Sequence, residues 1–189
     1  AEIYAVAKRH NIPVHLDGAR LFNAAVSLNV PVTELTKSCD TVTCCLSKGL
    51  CAPIGAVLAG TEEFVRAARR NRKILGGGTR QSGILAAAGI IALEKMTKRL
   101  HVDHENARYL AHKLNEIEYI HCDENAVQVN IVFCTIDKPR ELLDAMPDKL
   151  LKKGIKVGGY DDGKIRFLTN NDITREHIDF LVEEIQKCF

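Results

Sequence analysis

The sequence predicts an α/β domain with a largely parallel sheet, followed by a smaller α+β unit. Three observations carry this expectation. Over the first ninety residues short apolar runs alternate with helical patterns, the rhythm of a strand–helix–strand chain. After about residue 100 that alternation stops, so we expect domains over 1–99 and 100–189. The 189 residues are 46% hydrophobic and 26% charged, which suits a globular protein with room for one medium or two small cores.

The opening "AEIYAVAKRH" reads as an amphipathic helix already under way, without an initiator Met, which leads us to expect a longer protein upstream. "PVHLD" (13–17) reads as a buried strand and "ARLFNAAVSL" (19–28) as the helix after it. "TVTCCL" (41–46) and "IGAVLAG" (54–60) are strand candidates rich in β-branched residues. "TEEFVRAARRNRKIL" (61–75) starts with Thr61 as N-cap and two acids, then turns basic, a charge order that suits the helix dipole. Gly76–Gly78 interrupt the chain before a long helix, "TRQSGILAAAGIIALEKM" (79–96), whose Ala and Gly content implies close packing. In "VDHENARYLAHKLNEI" (102–117), Ala107, Leu110, Ala111 and Leu114 share one face. "VQVNIVFCTI" (127–136) is a strand, and "RELLDAMPDKLLKKG" (140–154) is helical apart from Pro147. "IKVGGY" and "KIRFLT" read as short strands around a turn at Asp161–Gly163, and "TREHIDFLVEEIQKCF" (174–189) closes the chain as a helix.

Composition narrows the function. Lys plus Arg is 26 and Asp plus Glu 24, and only 5% of residues are aromatic, so we expect no nucleic-acid partner. No apolar run reaches the ~18 residues of a membrane span, and we expect no membrane partner. Seven cysteines, an odd number scattered through hydrophobic segments, point to reduced buried thiols and a cytoplasmic location. Cys39, Cys44, Cys45 and Cys51 match no common zinc spacing, so no metal is expected. His101, His104 and His112 are read as a solvated helix face.

Two residues stand where strands should open into turns. Lys48 follows Ser47 just past an apolar run, and Gly49, Pro53 and Gly55 turn the chain at once. Held in a cleft and partly desolvated, a lysine becomes a nucleophile towards carbonyls; the alternative is a surface lysine in a turn. Asp17 stands at the end of its strand, where α/β sheets bind ligands. It can hold a protonated ring nitrogen, or serve as a helix N-cap, or pair with Arg20. An acid and a lysine on strand ends together suggest pyridoxal phosphate, whose aldehyde needs the amine and whose ring nitrogen needs the acid. Arg80 and Arg166 are candidates for the anions such a site must also hold. Their alternatives are a helix-terminal charge and a solvated strand face.

The stretches "HLDGARLFNAA", "CLSKGLCAPIGAVLAG", "GGGTRQSGILAAAG" and "IRFLTN" together resemble the threonine aldolase family of fold-type-I pyridoxal-phosphate enzymes. The resemblance runs in order along essentially the whole chain. It implies an aspartate-aminotransferase-like fold: the latter half of the large domain, then the small domain. It further implies that Lys48 carries the cofactor as a Schiff base, with Ser47 beside it, and that Asp17 pairs with the pyridine nitrogen. Arg80 would reach the phosphate, across a subunit boundary of a homo-oligomer, dimer or tetramer. Arg20 and Arg166 would hold the carboxylate of a β-hydroxy-α-amino acid, cleaved to glycine and an aldehyde. Cys51 stands where a glycine is expected. The family's upstream histidine and phosphate loop have no counterpart here: none of His10, His15, His101, His104, His112, His121 or His177 takes that histidine's place, and His15 is read as structural. A non-catalytic homologue and a β-eliminating lyase are the alternatives.

Overall fold

A computed structural model describes residues 1–161 and 163–189, and these form two compact units, Ala1–Leu100 and His101–Phe189.

The first unit runs α1 (Glu2–Arg9), β1 (His15–Asp17), α2 (Leu21–Leu28), α3 (Val32–Thr36), β2 (Thr41–Cys45), β3 (Ala56–Ala59), α4 (Glu62–Ile74) and α5 (Gly83–Glu94). Its sheet has the order β1-β2-β3, with β1 and β2 parallel but β2 and β3 antiparallel. The sheet is therefore mixed rather than largely parallel. The reason is local: a parallel pair needs a long crossover, and no helix stands between β2 and β3. The expected buried strand over 13–17 is a three-residue edge strand whose His15 and Asp17 are exposed. One short helix, α3, has no counterpart in the sequence reading.

Asp40 ties three elements together. Its carboxylate accepts from Lys8 Nζ at 2.6 Å, from Tyr4 Oη at 3.3 Å and from the Val14 N–H at 2.8 Å, joining α1 to the entries of β1 and β2. Thr61 caps α4 as expected, its hydroxyl accepting from the Phe64 N–H. The apolar α5 buries only Gly89 and Ala92; Ala92 joins Leu50, Ala52 and Leu100 in a small core, while Ile84 and Ile90 remain exposed.

The second unit runs α6 (Leu100–Asn115), β4 (Ile120–Cys122), β5 (Ile131–Ile136), α7 (Arg140–Leu151), β6 (Ile165–Leu168) and α8 (Arg175–Gln186), with an antiparallel sheet β4-β5-β6. Alternation sends Val132, Cys134, Ile136, Ile165 and Phe167 into one core with Ala107, Leu110, Ala111 and Leu114 of α6. His104 is buried rather than solvated. Its spacing to Ala107, Ala111 and Leu114 places it on the inward stripe of α6, and burial pushes its imidazole below the ordinary value. α7 runs through Pro147 unbroken, carried by buried Leu143, Met146 and Leu150. Residues 155–160 form no strand; only Asp161 and Lys164 make a bridge, and the centre of the expected turn, Asp162, lies outside the described residues.

The thiols are not all reduced. Cys122 and Cys134, directly opposed on β4 and β5, form a disulfide, while Cys39, Cys44, Cys45, Cys51 and Cys188 are free. The Cys122 N–H and C=O turn away from β5 onto the Asn115 side-chain amide, at 2.7 and 2.9 Å. Such a non-hydrogen-bonded antiparallel pair brings Cα atoms closest, here 4.4 Å, which lets two cysteines meet.

Candidate active site

The site begins where β1 ends. The Gly18 N–H donates to the Thr43 carbonyl at 2.8 Å, carrying the parallel pairing one residue past Asp17. Only glycine fits there, because a Cβ would stand 2.6 Å from that same carbonyl oxygen. Asp17 Oδ1 accepts from the Ala19 N–H at 3.1 Å, an Asx-type turn that leaves Oδ2 without a hydrogen bond among the described residues. Asp17 is not the N-cap of α2. That position belongs to half-buried Arg20.

Lys48 lies three residues past the end of β2, in the connection to β3. This connection is closed at several points: Leu46 N–H to the Gly55 carbonyl at 2.9 Å, Ala52 N–H to the Leu46 carbonyl at 2.9 Å, and Cys51 N–H to the Lys48 carbonyl at 3.0 Å. Leu50 and Ala52 anchor it in the core, and a Cβ on Gly49 would come within 3.1 Å of both Leu100 and Asn23. The Lys48 backbone is thus fixed, but its side chain and that of Ser47 are exposed rather than enclosed in a cleft.

Asp17 and Lys48 therefore leave the carboxyl ends of neighbouring parallel strands, with Thr43 as the direct partner of Asp17. Arg80 is in the same unit, exposed, in the turn before α5. Arg166 belongs to the second unit, where it stands opposite Phe133 on the solvent face of β6, with Lys164 and Asp161 around the same surface cavity.

One feature of the site escaped the sequence reading. His15 does not sit passively in its strand: Nδ1 lies 2.8 Å from Thr41 Oγ1 and Nε2 lies 3.4 Å from Thr43 Oγ1. The H-x-D spacing puts His15 and Asp17 on one strand face, and the T-x-T of β2 does the same for its hydroxyls. What the sequence lacks is the register that sets one pair against the other.

The donor set fits pyridoxal phosphate: an amine on a hydrogen-bonded turn after β2, and at the end of neighbouring β1 a carboxylate with one oxygen open to a cationic nitrogen. Comparison with known proteins points the same way. Residues 1–137 match the family model described as beta-eliminating lyase. The chain is 39% identical over 184 residues to low-specificity L-threonine aldolase 1 of Arabidopsis thaliana, spanning 97% of this chain and 51% of that one. It thus covers about half the length of the curated relatives it matches. Among solved structures, it is similar to one described as an aromatic amino acid beta-eliminating lyase/threonine aldolase from Exiguobacterium sp. 255-15 (TM-score 0.82, 21% identity, 100% of this chain and 56% of that one). It is also similar to a serine palmitoyltransferase holding pyridoxal phosphate (TM-score 0.73, 21% identity, 99% and 50%). At these identities the structural matches establish the fold.

Proposed function

The chain belongs to the beta-eliminating lyase family, and from that premise we propose that it supplies the lysine and the ring-nitrogen acid of a pyridoxal-phosphate-dependent aldehyde-lyase acting on L-threonine or L-allo-threonine. The observation that carries this reading is the departure of Asp17 and Lys48 from adjacent parallel strand ends.

When bound, the cofactor supplies an electron sink for the bond-breaking step. The chain's own residues do the rest. Lys48 offers an amine to the aldehyde, from a turn closed by backbone hydrogen bonds. Asp17 Oδ2 accepts from the protonated ring nitrogen and keeps that proton in place, while Oδ1 stays on Ala19. Ser47 and Arg80 serve the phosphate, and the fork of Arg80 suits it bidentately. Arg20 and Arg166 hold the substrate carboxylate, which fixes which bond at the α-carbon faces the ring. We assign the products as glycine and acetaldehyde, the working form as a homo-oligomer, and the place of action as the cytosol. Among the described residues no helix is long and apolar enough to cross a membrane.

The test adds pyridoxal phosphate to the full-length protein. There a visible absorption band, trapped by borohydride as an adduct on Lys48 and lost in Lys48→Ala, is the expected result, and its absence removes the reading; residues 1–189 alone, without the phosphate loop, are expected to retain the cofactor weakly. The family description favours a second activity, β-elimination. Acetaldehyde from threonine supports the aldolase, pyruvate and ammonia from serine or cysteine support elimination, and neither product with a trapped adduct marks a non-catalytic homologue.

A further inference from the structure

We infer that His15 is a positioning residue for Asp17, acting by holding the Thr43 hydroxyl away from the carboxylate that receives the cofactor's ring nitrogen. The inference rests on the proposed cofactor site and extends it to a residue that does not touch the cofactor.

The geometry is that of two aligned strands. Strand alternation puts His15 and Asp17 on one face of β1, with Leu16 on the other. In the parallel register His15 stands beside Thr41 and Asp17 beside Thr43, so the four side chains form one polar patch. The opposite face is apolar: a Cβ on Gly18 would meet Leu21 Cβ at 3.1 Å and Val42 Cγ2 at 3.3 Å. Within the patch the imidazole lies along β2, its Nδ1 on Thr41 and its Nε2 on Thr43, the neighbour of Asp17. Both ring nitrogens are engaged. With the ring proton on Nδ1, donated to Thr41 Oγ1, Nε2 accepts from the Thr43 hydroxyl and occupies the one proton that could otherwise reach Asp17; this is the tautomer we assign.

The consequence concerns competition for one oxygen. Asp17 Oδ1 is held by Ala19. A Thr43 hydroxyl released from the ring is free to turn and donate to its neighbouring carboxylate, the acceptor a protonated pyridine nitrogen requires. A hydrogen bond to a charged group is worth enough to cost roughly tenfold in affinity when it must first be broken.

The experiment compares two cofactors. Wild type, His15→Ala and His15→Asn are titrated with pyridoxal phosphate and with its 1-deaza analogue, in which carbon replaces the ring nitrogen; binding is read by absorbance and borohydride trapping at Lys48. We expect His15→Ala to weaken pyridoxal phosphate roughly tenfold and to leave the analogue unchanged, since the analogue makes no bond to Asp17. His15→Asn keeps a polar group against Thr41 but falls short of Thr43, so it releases the Thr43 hydroxyl as His15→Ala does and shows the same selective weakening of pyridoxal phosphate. It also provides the readout if the alanine variant does not fold. Equal weakening of both cofactors, or no weakening of either, overturns the inference. A full-length wild type that forms no Lys48 adduct overturns the cofactor reading itself, a failure seen before any variant is made.

Discussion

Cys51 donates its backbone N–H to the Lys48 carbonyl at 3.0 Å while holding a φ of 60°. That bond closes the turn beside the proposed Schiff-base lysine, and it requires the left-handed conformation from a residue with a Cβ. The conformation costs an L-residue about 1–2 kcal/mol and glycine almost nothing. Glycine returns about 0.4–1 kcal/mol of that gain through the greater freedom of the unfolded chain. Cys51→Gly is therefore expected to stabilise the protein by about 0.5–1 kcal/mol, seen as a higher urea midpoint at unchanged slope. A lower midpoint would show that the turn carries no strain at this position.

Gly18 is the opposite case, a position where a single methyl is excluded. The atom it would strike, the Thr43 carbonyl oxygen at 2.6 Å, is backbone and already accepts the Gly18 N–H. Relief requires β1 to part from β2 at the end that carries Asp17. Gly18→Ala should cost about 1–3 kcal/mol by denaturant unfolding, and it should reduce borohydride trapping at Lys48 even where the variant is fully folded. Wild-type stability in this variant would mean that the two strand ends separate freely.

Several local features around the candidate site are legible in the sequence, and what is not has physical causes. Strand ends and the turn after Lys48 are local features, written in residues within a few positions of one another, whereas the glycine expected at position 51 comes from the family resemblance. The antiparallel return of β3 was not legible, because strand direction follows from the missing helix between β2 and β3 rather than from either strand's own composition. His104 was misread as solvated since histidine is polar, although its spacing to Ala107 and Ala111 already placed it on the buried stripe. The disulfide and the His15 bonds depend on cross-strand register, which no single stretch encodes. Asp17 ends β1 and Lys48 follows β2, but both side chains are exposed where the sequence predicts a partly desolvated cleft.

Asp40 makes stability depend on acid. Its carboxyl is held below the ordinary value of 3.8, first by the Lys8 bond and next by the Val14 N–H. A depressed folded value means that the folded state binds the proton less readily than the unfolded chain. The stabilisation is then complete above the ordinary value and fades as pH falls through the depressed one. The melting temperature difference between wild type and Asp40→Asn should therefore be constant from pH 7 to 5 and shrink below about pH 4. A difference that persists undiminished at pH 3 would assign the effect to packing rather than to charge.

The Cys122–Cys134 bond closes a short loop, with the partners 12 residues apart. Closing a loop of that size restricts the unfolded chain by about 3 kcal/mol. Because Cys134 is fully buried and Cys122 nearly so, a serine would add the cost of an unpartnered hydroxyl, so the test is the Cys122→Ala/Cys134→Ala pair. Its unfolding midpoint should fall, and reductant should lower the wild-type midpoint while leaving the pair variant unchanged. Alkylation before and after reduction, read by mass, counts the thiols the bond conceals. Three of the five remaining cysteines lie in or next to β2 and the Lys48 turn, so peptide mapping must assign the two newly exposed thiols to β4 and β5. If these two alkylate without reductant, the strands stand opposed but unbonded, and the loop-closure term disappears with the bond.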